Sequence, residues 1–398
     1  MSARDVIFVD GEPSSQIRDL ASFIGEQKQV SDLDAYVSST NTAEAAVKES
    51  IGVLSKSPEE KLEAVYNQLF ALVLIREEAP LDVVSVAKEL AEDIAANVEN
   101  GAAGLRVLNN LYNLVGDGKA RALVFDSIVA LAARSQLLGT VVPLISRLPA
   151  MFAEWGVGAG ERARVLLDLR KALEAAQLTS EAYEAELVFL SAVGLEDQRA
   201  AEVASSAVVR FAKLSAVCDL DALASLDSVQ ELSKLDKLGD AGALLDALLA
   251  SDYKQWRQFA ANKRDMLTGL GVDIERASDK MRLLTVASLA AESLGQDVPF
   301  ATVAQAIEVD EDEVEMWIID VIRSGLIQGK MNQVNRTMLP TRTTYRRFGA
   351  EQWSILAERL EQWKQSLEKL QPVITNAKLV AQQQAVQMAG QARVTIKE

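Results

Sequence analysis

The densest group of ionisable side chains in this sequence is a run of carboxylates. Six of the eight residues from 308 to 315 are Asp or Glu. Such a cluster can bind a metal ion or a basic partner, and it can equally stabilise the positive end of a helix macrodipole. Asp310 as N-cap and Glu313 three positions later form a capping-box pattern. The spacing therefore favours a helix N-terminus over a ligand site.

A run of cations follows the acidic cluster directly. Between Val321 and Ala350 there are six basic residues and no acidic one. Surfaces that bind single-stranded nucleic acid interleave cations with aromatic residues, and here only Tyr345 and Phe348 are nearby. Three interpretations stay open: a solvated surface, a docking surface for an acidic partner and, least favoured, direct contact with RNA. The candidate contacts are Lys330, Arg336, Arg342, Arg346 and Arg347.

The composition argues against an enzyme. The 398 residues include no histidine and a single cysteine, Cys218, which excludes Cys/His zinc sites, Ser-His-Asp catalysis and an internal disulfide. Two glycine-containing segments, 116–120 and 155–162, lack the spacing of nucleotide-binding loops and are interpreted as turns between helices. We therefore expect no catalytic residue, no metal and no cofactor.

The same features bear on the cellular compartment. No apolar run reaches the roughly 18 residues that a membrane span requires. The opening residues lack the basic-then-apolar layout of a secretory signal, and a single cysteine suits a reducing environment. We expect a cytoplasmic protein that does not contact a membrane.

Apolar residues recur at helical spacing through most of the chain. Residues 61–275 divide into helix pairs of about 25–40 residues joined by polar or glycine-containing turns. This pattern predicts an all-α-dominated fold with a right-handed helical-repeat solenoid. Residues 1–60 are less regular and are predicted to be only partly helical.

Three helices and a small β-hairpin are predicted over residues 276–349. The helices are Lys280–Leu294, Pro299–Ile307 with Pro299 in its first turn, and Asp310–Ser324, followed by Gly325 in a left-handed C-cap. Three helices and a hairpin in this order define a winged helix. Because the leading end of the third helix is acidic, it is unsuited to reading a nucleic-acid groove.

The first strand of the predicted hairpin contains Gly329 between apolar residues. A glycine in this position usually marks a bulge, although an edge strand that pairs with a partner's sheet is the alternative. In the second case the partner contacts are predicted to be Ile327, Gly329, Lys330, Met331 and Gln333.

Residues 350–398 predict one long amphipathic helix with a frayed tail. Apolar residues step by three and four from 353 to 377, which is a heptad seam, and Pro372 predicts a kink or break near Gln371. The seam could pack on the chain's own repeats, but two tryptophans on one narrow stripe favour partner helices. Its predicted partner contacts are Trp353, Leu356, Leu360, Trp363, Leu367 and Leu370.

Several segments resemble the PCI domain, which occurs in subunits of the proteasome lid, the signalosome and eukaryotic translation initiation factor three. They are "LRVLNNLYNL" at 105–114, "KMRLLTVASLA" at 280–290 and "DEVEMWIIDVIRSGLIQGKMNQ" at 312–333. The segment "RRFGAEQWSILAERLEQWKQSL" at 346–367 is similar to the M subunits of that initiation factor. The resemblance implies a PCI domain over about residues 180–349, including the last solenoid helices.

The resemblance also implies a function. It points to a non-catalytic subunit of a translation initiation complex, which scaffolds PCI subunits for binding to the small (40S) ribosomal subunit and for mRNA recruitment. Its direct partners would be other PCI subunits, whose winged helices pack side by side and whose C-terminal helices form a shared bundle. The alternatives are a PCI scaffold subunit of the proteasome lid or signalosome and, less favoured, a nucleic-acid-binding winged helix.

Overall fold

The computed structural model describes residues 13–40, 42–74, 82–234, 237–250, 252–346 and 349–395. Two compact units divide the chain, Met1–Thr344 and Tyr345–Glu398. The first unit contains helices followed by a small sheet, and the second contains one long helix. The prediction of an all-α-dominated chain with helical repeats, a β-hairpin and a long C-terminal helix is confirmed.

The helical part of the first unit begins with α1, followed by the two short helices α2 and α3, and continues as consecutive packed helices. Neighbouring helices pack in overlapping pairs, including α4 on α6, α5 on α7, α7 on α9, and α10 on α11. The helices are α1 Pro13–Lys28, α2 Leu33–Ser39, α3 Ala43–Ser50, α4 Glu59–Leu74, α5 Val83–Asn97, α6 Gly101–Leu114, α7 Gly118–Arg134, α8 Leu148–Trp155, α9 Ala159–Ala175, α10 Thr179–Ala192, α11 Ala200–Lys213, α12 Asp221–Ala224, α13 Asp227–Lys234 and α14 Asp240–Ala250.

Polar residues placed before the apolar segments start several of these helices. The side chains of Asp82, Asn100 and Asp117 accept hydrogen bonds from backbone N–H groups in the first turns of α5, α6 and α7. These groups have no partner within the helix, so each cap stabilises its helix by about 1 kcal/mol. The sequence thus sets where these three helices begin.

The buried side chains form two large clusters along the first unit. One extends from Leu20 to Leu131 and the other from Ala122 to Met338. Three partly buried residues pack against both clusters: Leu105, Tyr112 and Ile128. The second cluster contains residues of both the repeats and the small sheet, so the sheet is packed on the end of the repeats.

Gly118 allows the closest approach of two helices in the repeats. A Cβ atom at this position would lie 1.8 Å from the carbonyl oxygen of Trp155, the last residue of α8. We expect Gly118→Ala to lower the free energy of unfolding by about 1–3 kcal/mol, because the backbone must move to relieve the overlap. Urea unfolding followed by helical circular dichroism measures this.

Gly160 in α9 is the matched control for that substitution. Apart from its chain neighbours and the nearby backbone of its own helix, no described heavy atom lies within 4 Å of its added Cβ. Gly160→Ala should therefore leave the free energy of unfolding unchanged or raise it by about 0.5–1 kcal/mol. Equal effects at the two glycines would contradict the close α7–α8 packing.

The C-terminal part of the first unit is a winged helix. It contains a three-stranded antiparallel sheet of order β1-β3-β2, of which the sequence predicted only β2 and β3. The two-residue strand β1 pairs with β3 through Val298 opposite Met338. The helices α15 Tyr253–Asn262 and α16 Arg264–Gly269 precede the winged helix, and its own elements are α17 Ile274–Glu292, β1 Val298–Pro299, α18 Phe300–Ile307, α19 Val314–Arg323, β2 Ile327–Asn332 and β3 Thr337–Thr343.

The predicted bulge at Gly329 is confirmed. The register between β2 and β3 shifts between Gln328 and Gly329. A Cβ on Gly329 would lie 2.7 Å from the carbonyl oxygen of Leu339, so only glycine fits this close approach without a shift. Among the described residues β2 pairs with β3 alone, so β2 is an edge of the sheet.

Three predicted helix boundaries in the winged helix were wrong, and one cap was right. The first helix begins earlier, at Ile274, and Pro299 is the N-cap of α18 rather than a residue of its first turn. The third helix begins at Val314 instead of Asp310, because residues 311–313 form a turn. Gly325 does adopt the predicted left-handed conformation, with φ of 79°.

The second unit is the helix α20, Ala350–Thr395. It runs through Pro372 without interruption, so the predicted break near Gln371 was wrong, while the alternative of a kink stays a prediction. A proline removes one backbone hydrogen bond, which the long flanking helical segments tolerate here. Among the described residues, none of the helices combines the length and apolar character needed to span a membrane.

Candidate partner-binding surfaces

The acidic cluster binds groups of the chain itself. Glu311 and Asp312 accept hydrogen bonds from the guanidinium of Arg336, at 3.1 and 3.4 Å, and Arg336 lies in the turn between β2 and β3. Glu315 accepts a hydrogen bond from Gln333 in the same turn. Glu308 forms an ion pair with Arg257 of α15. These carboxylates therefore hold the turn and α15 against the segment that precedes α19.

The predicted capping box at Asp310 and Glu313 was wrong. The N-cap of α19 is Glu313, which has αR backbone angles and no side-chain cap hydrogen bond. The turn before α19 places Glu311 and Asp312 beside a cation, and hydrogen bonds between charged groups are stronger than those to a neutral backbone N–H. Within the described part of the chain, no cluster of three or more potential metal ligands is present.

The five predicted basic contacts differ in their surroundings. Arg336 is held by its two internal acids, and the hydrogen bond to Glu311 raises its pKa. Lys330 and Arg342 are exposed on β2 and β3, and neither forms an ion pair with any described residue. Arg346 is half-buried, and Arg347 lies outside the described residues. Lys330 and Arg342 are therefore the two predicted cations on β2 and β3 that are exposed to solvent.

The strand β2 presents one unpaired backbone edge. Of the predicted contacts, Ile327 is buried in the core, while Gly329 and Met331 are half-buried. Lys330 and Gln333 are exposed. A partner strand added at this edge would therefore contact the backbone of Ile327 and the side chains of the exposed residues.

Two exposed apolar side chains near this edge were not predicted. Met316 of α19 is 62% exposed and Val334 of the β2–β3 turn is 93% exposed. The hydrogen bond between Gln333 and Glu315 ties the turn to the first turn of α19. A large apolar residue at the tip of a hairpin was the available sequence signal, because such tips are usually polar.

The helix α20 exposes the whole predicted seam. Trp363 is 64% exposed and Leu367 is 52% exposed, which is unusual for large apolar side chains. Val373, Ile374, Leu379 and Val380 extend the exposed stripe beyond the predicted contacts. The remaining predicted residues are also exposed: Trp353, Leu356, Leu360 and Leu370. A continuous apolar stripe of this length is typical of a helix that packs on other helices.

Lys280 is the functional candidate that sequence reasoning missed. It lies on the buried face of α17 between Ala277 and Leu284 and is only 2% exposed. Its ammonium donates hydrogen bonds to the carbonyl oxygens of Phe211 and Leu214, the latter at 2.8 Å. It also lies 3.3 Å from the centroid of the Phe211 ring. A lysine at an apolar position of a helical pattern was the signal for this contact.

Burial of Lys280 predicts a pH dependence of stability. Desolvation lowers the pKa of Lys280 to about 7, against about 10.4 in an unfolded chain. Between these two values the unfolded state binds the proton that the folded state has released, so the free energy of unfolding rises with pH. The slope contributed by Lys280 is at most about 1.4 kcal/mol per pH unit.

Lys280→Met should remove that contribution. We expect the free energy of unfolding of the parent, minus that of the variant, to increase between about pH 7 and about pH 9. Urea unfolding at fixed ionic strength measures this difference. A difference that stays constant over this range would show that Lys280 keeps an ordinary pKa in the folded chain.

Two family models match the winged helix and the helix that follows it. Residues 259–341 match the model of the PCI domain, and residues 346–374 match the model described as the C-terminal helix of eIF3 subunit M. The first match covers α16 to β3 and the last residues of α15, and the second covers most of the exposed seam. A winged helix preceded by helical repeats places the chain in the PCI class of proteins.

Similar proteins extend the match to almost the whole chain. Eukaryotic translation initiation factor 3 subunit M of Schizosaccharomyces pombe is 30% identical over 379 residues, which cover 91% of this chain and 90% of the relative. The protein of the same name from Chaetomium globosum is 29% identical over 379 residues, with coverage of 93% and 88%. The chain belongs to the eukaryotic translation initiation factor 3 subunit M family. This membership confirms the prediction that the chain is not an enzyme.

Proposed function

We propose that the chain is a structural subunit of a multi-subunit translation initiation complex in the cytoplasm. In this complex it scaffolds other PCI subunits for binding to the small ribosomal subunit and for mRNA recruitment. The observation that carries the proposal is the exposed apolar seam of α20, in the segment that matches the C-terminal helix of subunit M. A subunit that assembles with other helices needs such a seam, whereas an isolated protein loses solubility by exposing it.

Each part of the chain has a separate role in this proposal. Residues 61–275 form the repeat scaffold, residues 276–349 the winged helix, and residues 350–398 the helix that enters a bundle with C-terminal helices of partner subunits. Residues 1–60 form an N-terminal region to which we assign no role. The seam residues Leu360, Trp363 and Leu367 would be buried between helices on assembly.

The edge strand β2 is the second contact in the proposal. Its unpaired backbone suits addition of a strand from a neighbouring winged helix. Lys330 and Arg342 favour a partner surface that is acidic. Nucleic acid is disfavoured at this end because the carboxylates before α19 lie beside the β2–β3 turn.

Affinity purification of the tagged chain from its own cells, followed by mass spectrometry, tests the proposal. We expect other initiation factor subunits and proteins of the small ribosomal subunit to be recovered together. Recovery of deubiquitinase partners of the proteasome lid or signalosome instead would assign the chain to one of those complexes. Recovery of the chain alone from gently lysed cells would overturn the scaffold role.

A further inference from the structure

The end of α11 leaves carbonyl groups that the helix itself cannot satisfy. The last four carbonyls of any α-helix lack an N–H partner one turn further on. Here Phe211 lies in the last turn of α11 and Leu214 is its C-cap; Phe211 is fully buried and Leu214 is half-buried. Buried carbonyls without a partner are strongly destabilising, so this helix end needs donors from another part of the chain.

Lys280 supplies these donors from the winged helix. The two hydrogen bonds join residues that are 69 and 66 positions apart in the sequence. The helix α11 packs on α10 and α14 of the repeats, and α17 packs on α18, α19 and β3. The lysine therefore connects the last repeats to the first long helix of the winged helix.

The chemistry of the contact suits a permanent connection. Two carbonyl acceptors require two N–H donors, which both the ammonium and the neutral amine possess. The contact consequently persists when Lys280 loses its proton. The face of the Phe211 ring adds a favourable site for the cationic form. The aliphatic stem of the lysine is buried with the rest of the residue, which lets an apolar stem carry a polar head into the core.

We propose that Lys280 is a latch that fixes the orientation of the winged helix on the last repeats. Without its two hydrogen bonds, the end of α11 opens and the winged helix moves relative to α11 while both parts stay folded. This proposal concerns motion within one chain and does not depend on the proposed assembly function.

Hydrogen–deuterium exchange of the full chain measures the opening. Lys280→Met retains the apolar stem and removes both donors. We expect amides in the last turn of α11 to exchange about 10-fold faster or more, because each lost buried hydrogen bond favours opening. Phe211→Leu keeps both carbonyls and removes only the ring, so a smaller acceleration at the same amides is expected. If Lys280→Met fails to fold, Phe211→Leu tests the latch instead. Faster exchange in the last turn of α11 then supports the latch, and unchanged exchange there refutes it.

A distance measurement separates the latch from a general loss of stability. Spin labels at Lys171→Cys and Asn335→Cys, in a Cys218→Ala background, report the separation of the repeats and the β2–β3 turn. Both labelled positions are exposed. We expect one narrow distance distribution in the labelled parent and a broader or shifted one with Lys280→Met.

Val107→Ala is the matched control, because Val107 is fully buried in the N-terminal cluster far along the chain from Lys280. It should lower overall stability without changing the exchange at the end of α11 or the distance distribution. If Lys280→Met lowers stability as Val107→Ala does, with unchanged distances and no local acceleration of exchange, the latch is refuted.

Discussion

Replacing Trp363 and Leu367 by aspartate is expected to abolish assembly of the chain with its partner subunits. Both side chains are exposed in the chain alone and would be buried in a helical bundle. Removing a tryptophan anchor from an interface core costs about 2 kcal/mol or more, and burying an unpaired carboxylate adds to that loss. We expect the affinity for partner subunits to fall at least about 100-fold.

The control for this substitution adds the same charges to another face of α20. Gln362 and Gln365 are exposed and lie outside the heptad seam. Gln362→Asp with Gln365→Asp carries a helix-propensity cost at least as large and leaves the seam intact, so it should leave partner recovery in a pull-down near the parent level. Circular dichroism should be unchanged in both variants. Equal recovery of partners by the seam variant and the control would show that the seam is not an interface.

Reversing the charges of the two exposed cations on β2 and β3 is expected to have the second largest effect on partner binding. Lys330→Glu with Arg342→Glu replaces the positive charges that would face an acidic neighbour. We expect affinity for a neighbouring PCI subunit to fall about 10- to 100-fold, mainly through slower association, and the remaining binding to lose its salt dependence. Surface plasmon resonance at two ionic strengths measures both quantities.

Two further variants are controls for the charge reversal, one for net charge and one for the stability of the β2–β3 turn. Lys254→Glu with Lys263→Glu changes the net charge by the same amount at exposed positions on and directly after α15, so it should leave binding unchanged. Arg336→Glu should instead loosen the β2–β3 turn, because it places a carboxylate beside Glu311 and Asp312. Loss of RNA crosslinking with intact partner binding in the Lys330/Arg342 variant would favour a nucleic-acid surface over a docking surface.

Most of the fold could be predicted from sequence patterns that span only a few neighbouring residues. Helical spacing predicted the repeats, Gly325 predicted a left-handed C-cap, and Gly329 predicted the bulge. Each of these features depends on residues that are close in sequence. The heptad seam was equally visible, because exposed apolar residues at steps of three and four are recognisable without any tertiary contact.

The errors arose where distant residues decide the local structure. The carboxylates before α19 resembled a capping box, but Arg336 in the hairpin turn binds Glu311 and Asp312. The strand β1 has two residues and exists through its pairing with β3, so its own sequence carries no strand pattern. Lys280 satisfies carbonyls on a helix 69 residues away, and only the folded chain brings these groups together.

In the proposed assembly, α20 and the β2 edge are the surfaces through which the chain joins other subunits. Crosslinking mass spectrometry of the assembly purified through the tagged chain tests both contacts at once. Lys364 and Lys369 lie on α20, and Lys330 lies on β2. We expect crosslinks from Lys364 and Lys369 to C-terminal helices of other PCI subunits, and from Lys330 to a neighbouring winged helix. Crosslinks from these three lysines only to residues of the same chain, in an assembly that contains the partner subunits, would contradict this expectation.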